Sequence, residues 1–586
     1  MSGSETGLVP GPSAASITTP TKRAAFAVSA EAGPSRARPA GASPAYSSRR
    51  HSLYGIEDRV VIDPGSRIWK VGFSGEPEPR FVFYALDEAD SVDTLSTEAW
   101  DLDISRMRGV NGSRSEGDRL VGVRVIKKLR ETFVRHLMTD PKARKIIILE
   151  NTYLPIGVKE HIARALFDNL QVPSVSFTSS SLLALAACGR ITGLVVDIGW
   201  LETTITPVYH SRPLYTLAQS TPSAGRRLHN HLRTLLHHCA IYIPPPSSLG
   251  DIDDRPRSPG VPQDILSDHF IETVLTEGCF VEKENLALEQ DESMDVDTEE
   301  HSSPNLWEDG DSTRIAKEWK RRYENSSSAK AMSFRLSTKA NLGPATIIVP
   351  GWIRERVAEI LLNDEDGSED RSVPTLILDC LLKLPIDLRS TFISSLLVAG
   401  GTASLPGFIP RIRVSLLHHL LPPPLSMNEP IRSPLNTLAG RKEETSLWRK
   451  RNQEPYQEIY GLASKLAIIN DPAPLDGSEG FNGGKAPRWS TGLMSWVGGS
   501  LAGSLKTSSQ EITRESYDTL VSISSSRGEI YKEELETSEV EVAATTGIDI
   551  EELKVGQALN DELGLGRRRG WKENAGLPDW SRAVKV

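Results

Sequence analysis

The feature that most constrains this chain is a strand-turn-strand unit that occurs twice. Arg59-Val60-Val61-Ile62-Asp63 runs through Pro64-Gly65-Ser66 and returns as Ile68-Trp69-Lys70-Val71-Gly72-Phe73. Well downstream, Leu194-Val195-Val196-Asp197 runs through Ile198-Gly199 and returns as Thr203-Thr204-Ile205-Thr206-Pro207-Val208. Each unit is an apolar strand that reaches an Asp and then a glycine turn, where unusual backbone angles are needed. One such turn is an ordinary hairpin. Two copies of one plan predict an internal duplication whose turns face each other across a cleft. Amides at such turns can point inward and hold an anion, so Asp63 can hold a hydrated cation and Lys70 can reach a phosphate. A third glycine element, Leu396-Leu397-Val398-Ala399-Gly400-Gly401-Thr402, carries a buried strand toward a helix. Glycines beside a helix start let a flat ring or a phosphate approach the backbone.

The segments between these units alternate in pattern. Lys145 to Leu149 reads as a buried strand, Lys159 to Leu170 as an amphipathic helix, and Ser181 to Cys188 as an apolar helix before the next strand. Such alternation is α/β. At 586 residues the chain exceeds what one core usually holds, so two lobes, or one large fold with insertions, are expected. An apolar share of 38% with 38 Pro and 45 Gly places part of the chain outside any core. Residues 1–52, rich in Ser, Ala, Pro and Arg, read as a disordered tail, and their prolines would break the amphipathic helix of a mitochondrial import signal. Pro244 to Pro262, the acidic run Glu289 to His301, Pro422 to about Gly461, and Ser524 to about Lys572 read as insertions looping out of the fold.

With 67 basic and 77 acidic residues, the net charge of −10 argues against a surface built to grip nucleic acid or a lipid membrane. Four cysteines stand far apart without a C-x-x-C pair, which points away from a disulfide scaffold or a zinc ribbon and toward a reducing compartment. No apolar run approaches the ~20 residues of a membrane span. His229, His231, His237, His238 and Cys239 cluster on a helix and read as ordinary helix surface rather than as metal ligands. Neither G-x-x-x-x-G-K-[ST] nor G-x-S-x-G occurs.

Taken in order, Asp63-Pro64-Gly65-Ser66 to Lys70, Val71 to Glu76, Gly189 to Gly199, Gly400 to Gly407, and Trp496 to Leu505 with Ile512 to Asp518 resemble the phosphate loops, adenosine loop and C-terminal region of actin. The resemblance covers about Val60 to Asp518, less the insertions. It implies a duplicated ribonuclease-H-type α/β fold with two lobes around a nucleotide cleft. The first lobe would span 53–190 and the second 191–520, with insertions near 242–262, 288–330 and 422–461. Residues 496–520 would return to the first lobe, and 521–586 would form an insertion and tail. It further implies that Asp63, Gly65, Ser66, Lys70, Asp197, Gly199, Gly400, Gly401 and Thr402 face the nucleotide.

The chain departs from actin at several of these positions. Pro64 and Arg67 replace Asn and Gly, Trp200 and Leu201 replace Asp and Gly, Ser180 replaces the water-positioning Gln, and Thr204 replaces a His. Leu275-Thr276 stands where actin has a Lys-Glu pair beside the adenosine. Phosphoryl transfer is mostly positioning and charge stabilisation, so losing these groups predicts a catalytically silent chain with no catalytic or metal-binding residues. ATP or ADP with Mg²⁺ is then a structural wedge, or the cleft is empty.

Pro374 to Cys380 leading to Pro385-Ile386-Asp387-Leu388-Arg389, Arg135-His136-Leu137 with Asp140-Pro141, and Leu577-Pro578-Asp579-Trp580 resemble the actin-related subunits at the pointed end of dynactin. That likeness implies a cytoplasmic, cytoskeletal protein in a hetero-complex. Its partners would be dynactin's actin-related filament and its pointed-end subunits. The alternatives are a nuclear actin-related subunit of a chromatin-remodelling complex and an active actin-fold ATPase.

Overall fold

Fifteen strands organise the described residues of a computed structural model, which are 59–86, 98–102, 116–246, 256–282, 312–336, 344–364, 370–422, 455–471, 490–507 and 510–522. All fall within the unit that begins at Glu57. The predicted tail 1–52, the acidic run 289–301, the stretch 524–572 and Trp580 lie outside the described residues.

In chain order the strands are β1 (Val60–Pro64), β2 (Ile68–Phe73), β3 (Phe81–Tyr84), β4 (Ile146–Glu150), β5 (Ser174–Ser179), β6 (Gly193–Ile198), β7 (Thr203–Tyr209), β8 (Arg212–Pro213) and β9 (Gln219–Thr221). They continue as β10 (Ile241–Ile243), β11 (Ser258–Pro259), β12 (Met332–Leu336), β13 (Ala345–Val349), β14 (Leu396–Ala399) and β15 (Glu511–Thr513). The helices that bear on the site are α1 (Ser180–Ala187), α2 (Gly225–Cys239), α3 (Asp268–Thr273), α4 (Ser312–Tyr323), α5 (Phe408–Leu420) and α6 (Met494–Leu505).

The duplication read from the two turns is visible in the pairing. In the first sheet, ordered β15-β5-β4-β1-β2-β3, the hairpin β1–β2 is extended by β4 running parallel to β1. In the second sheet, β14-β6-β7-β8 with β9 beside β7, the hairpin β6–β7 is extended by β14 running parallel to β6. Strands flanked on both sides and covered on both faces need apolar side chains throughout. Accordingly Val60, Val61, Ile62, Ile146, Ile147, Ile148, Leu194 and Val196 are all buried. A third, antiparallel sheet, β11-β10-β13-β12, belongs to the second lobe.

Each lobe has its own core. One is built on Val60, Ile62, Trp69, Phe133, Ile148 and Phe167, and the other on the second and third sheets with their helices, among them Val196, Ile205, Leu232, Ile347, Phe408 and Ile412. Between the lobes, α1 and α6 pack against each other and against β1 and β4, and Trp496 donates its Nε1–H to the Val61 carbonyl at 3.2 Å.

One reading of the sequence is refined here and another is corrected. Residues 312–323, within the insertion expected near 288–330, form α4, whose Ile315 is buried and whose Ala316 belongs to the second core. Its surroundings are so polar that the short apolar stripe carried no weight in the sequence. The far ends of two other insertions also join the lobe: Ser258–Pro259 pairs with β10, and Tyr456 and Ile459 are buried in the same core. The histidines of α2 are not all helix surface: His229 and His231 are buried, the latter with its ring 4.2 Å from that of Trp319 on α4. A helix sandwiched between α4 and the rest of the lobe has two covered sides.

Candidate functional site

The two glycine turns and the strand end at Gly400 converge on one cavity of about 590 Å³. Ligand pockets typically hold roughly 300–1,000 Å³. All nine residues singled out from the sequence line it: Asp63, Gly65, Ser66 and Lys70 from the β1–β2 hairpin, Asp197 and Gly199 from the β6–β7 hairpin, and Gly400, Gly401 and Thr402 beyond β14. Arg67, Trp200, Leu201, Leu275 and Thr276, marked as departures from actin, line it too. Ser180 and Thr204 do not belong to its lining; both are buried, Ser180 at the first turn of α1 and Thr204 in β7 opposite Asp197.

Backbone geometry explains the glycines. Gly400 has φ +99°, and a Cβ there would lie 2.2 Å from the Ile198 carbonyl oxygen, so no other residue fits beneath the turn. At Gly401 a Cβ would meet no atom within 4 Å, which leaves the strand-to-helix turn bare toward the cavity. The start of α2 closes the same corner: the Gly225 N–H donates to the Gly199 carbonyl at 3.0 Å and the Arg226 N–H to the Trp200 carbonyl at 2.8 Å.

Most polar side chains of the cavity are already engaged by other protein groups. Lys70 Nζ lies 2.6 Å from Asp63 Oδ2, across the β1–β2 register that sets the two residues opposite each other. The Thr402 hydroxyl donates to the Gly199 carbonyl at 3.1 Å. Arg67 reaches over to α3, where its Nε and Nη2 meet Glu272 Oε1 at 2.6 and 2.5 Å, and the Tyr84 hydroxyl donates to Glu272 Oε2. The Arg67 guanidinium also lies 4.0 Å from the ring centroid of Trp200. Trp200 in turn donates its indole N–H to Glu98 Oε1 at 2.9 Å, and it and Leu201 pack on the first lobe's core.

Two carboxyls have charged forms that the site disfavours. Burial, and then the nearby Asp63 carboxylate, push Asp197 up to about 6 despite the opposing Lys70 charge. Burial, followed by Asp197, pushes Glu202 up to about 7. Glu202, Glu272 and Tyr84 were missed in the sequence. Glu202 follows Trp200-Leu201 in the same turn, so its position was a usable signal; Glu272 and Tyr84 are brought in by tertiary folding alone.

The cavity fits the body of a nucleotide and does not fit its metal ion. Bare glycine backbone at Gly401 and apolar walls at Trp100, Tyr153, Leu228 and Leu405 suit a flat ring and sugar. Two of the carboxylates a divalent ion would draw on are already taken, Asp63 by Lys70 and Glu272 by Arg67 and Tyr84. No group of three or more His, Cys, Asp or Glu suited to a metal occurs among the described residues. None of the four cysteines forms a disulfide. No helix among the described residues is long and apolar enough to cross a membrane.

Comparison with known proteins agrees with this architecture. Actin-related protein 10 of Dictyostelium discoideum is 22% identical over 500 residues, covering 78% of this chain and 85% of that relative. Centractin of Saccharomyces cerevisiae is 23% identical over 391 residues, 62% of this chain and 83% of its own length. Actin-related protein 4 of Arabidopsis thaliana is 23% identical over 407 residues, 62% and 86% respectively. The family profile described as Actin matches residues 57–428, more than half of the sequence. With two sheets repeating one plan around a cleft and a profile match of that extent, the chain belongs to the actin family.

Proposed function

We propose that this protein is a non-catalytic actin-related subunit that caps the pointed end of dynactin's actin-like filament and so supports dynein-driven transport along microtubules in the cytoplasm. The observation that carries the reading is the likeness to an actin-related protein 10 along 85% of that relative's length. Supporting it, the stretch from Arg80 to about Leu120, which corresponds to actin's flexible receiving loop, is rich in Asp, Glu, Ser and Gly. Within it Ala99 and Trp100 are buried in the first core, whereas Phe81, Val82 and Leu120 are exposed singly on β3 and on the helix that follows. A subunit whose receiving stretch differs from that of a propagating subunit can end a filament without extending it.

The cleft's chemistry supports a silent site. Phosphoryl transfer requires cations on the phosphates and a side chain that orients the attacking water. Here Lys70 and Arg67 are bound to carboxylates, and Ser180 lies outside the cavity lining. A nucleotide in this cavity would serve as a wedge between the lobes.

Affinity purification of the tagged full chain from its own cells tests the assignment, with dynactin subunits the expected companions. Recovery of chromatin-remodelling subunits would overturn it. Single-turnover phosphate release from the pure protein at actin-like rates would overturn the silent site.

A further inference from the structure

The contacts that consume the cleft's polar groups also cross it. Arg67 stands in the β1–β2 turn and Tyr84 on β3, both in the first lobe, while Glu272 is on α3 in the second. Both oxygens of Glu272 are therefore held by first-lobe groups: Oε1 by Arg67 and Oε2 by Tyr84. Trp200 makes the reciprocal crossing from the β6–β7 turn. It receives the Arg67 guanidinium on its face, bonds Glu98 through its indole, and shares the first core with Leu201. Arg226 at the start of α2 adds a third link, 3.3 Å from Asp101.

These links have the physical character of a permanent bridge. Arg67 is only 5% exposed. A guanidinium's flat face can stack while its edge donates. Because its partners are an aromatic ring and a carboxylate already held by a tyrosine, removing it would strip Glu272 of its cationic partner. Its counter-charge is local, as is that of Lys70, so both cations of the cavity are spent on protein carboxylates.

We propose that Arg67 takes the place of a divalent cation as the bridge between the two lobes, so that the cleft stays closed with neither metal nor nucleotide. A nucleotide that enters does so without a divalent ion. The proposal extends the silent-site reading and can fail independently of it.

Amide hydrogen exchange of the full chain in excess EDTA, with bound nucleotide removed, is the test, compared with Mg²⁺-ATP. The wild-type protein keeps the same protection at 98–102 and 268–276 in both conditions. In Arg67→Met, protection in those segments falls by at least about tenfold while β1 and β4 remain protected. Glu272→Gln, which keeps the side chain's shape, shows a smaller loss in the same segments and covers the case in which Arg67→Met does not fold. Loss of wild-type protection in EDTA, or wild-type protection in a folded Arg67→Met, overturns the proposal. Phosphate release is read separately and bears only on the silent site.

Discussion

Replacing Asp197 with Asn should make the protein more stable at neutral pH. Asp197 ends β6 at the cavity wall, beside Asp63, and its carboxyl is pushed from 3.8 up to about 6 by burial and by that neighbour. A shift of about two pH units corresponds to about 3 kcal/mol between the charged and neutral forms. The side chain faces a cavity that admits water, so screening reduces this to about 1–2 kcal/mol. The sign follows from proton linkage. The unfolded chain gives up this proton near 3.8 and the folded protein near 6, so the folded state binds more protons between those values, and stability falls as pH rises through the window. Above it the whole cost is present; below it there is none. Asn carries no charge at any pH, so Asp197→Asn should gain about 1–2 kcal/mol at pH 7.5 and less than half of that at pH 4.5. Denaturant titrations at both pH values and fixed ionic strength measure the gain, with the slope checked for a change in the transition. A loss of stability at pH 7.5, above all one that depends on Mg²⁺, would refute the reasoning, because it would mean that the charge is used to hold an ion.

Three other outcomes follow from packing and burial. Gly498→Ala should destabilise the protein by more than about 2 kcal/mol in denaturant melts, since its Cβ would lie 1.9 Å from the Leu183 carbonyl oxygen and force α6 away from α1. Trp496→Ala should cost about 3–5 kcal/mol by the same measurement, because the indole is fully buried and bonded to the Val61 carbonyl. His231 is pushed down to about 3, chiefly by burial and then by the Arg227 charge. The unfolded chain therefore takes up the proton first as pH falls below 6.5, and stability is lost in that direction. His231→Phe should flatten the decline in melting temperature between about pH 6.5 and pH 4.5.

The legible part of this protein was what short segments specify by themselves. A strand that must be buried on both faces is apolar throughout, and a hairpin turn that bends sharply needs glycine. Hence β1–β2, β6–β7, β14 and the residues at their turns could be read from the sequence, and the structure places all nine of those residues on one cavity. What could not be read was the pairing across the cleft. Arg67 and Glu272 are 205 positions apart, and nothing local to Glu272 distinguishes it from other glutamates on helix surfaces. For the same reason Lys70 was expected to be open to a phosphate, whereas its nearest partner is Asp63 on the adjacent strand. Strand register sets these two side by side, and register is a property of the folded hairpin. The short strands β10 to β13, partly exposed and interrupted by long connections, carried too little periodicity to be recognised.

The closing of the first lobe by segments from far down the chain sets a schedule for synthesis. Strand β5 gains its outer neighbour only from β15, and Ser174 and its partner Glu511 are separated by 337 positions. The Val61 carbonyl waits for Trp496 over 435 positions, and Val61, Ile147, Leu149 and Leu183 share one apolar cluster with that tryptophan. At ~5–20 residues per second a ribosome needs roughly 20–90 s to cover that distance. Throughout that interval the first lobe carries an uncovered apolar face and an unpaired strand edge, both routes to aggregation. A nascent chain of this kind depends on being shielded until α6 arrives, and a product truncated before Met494 would be a sticky half-built lobe rather than a smaller working one.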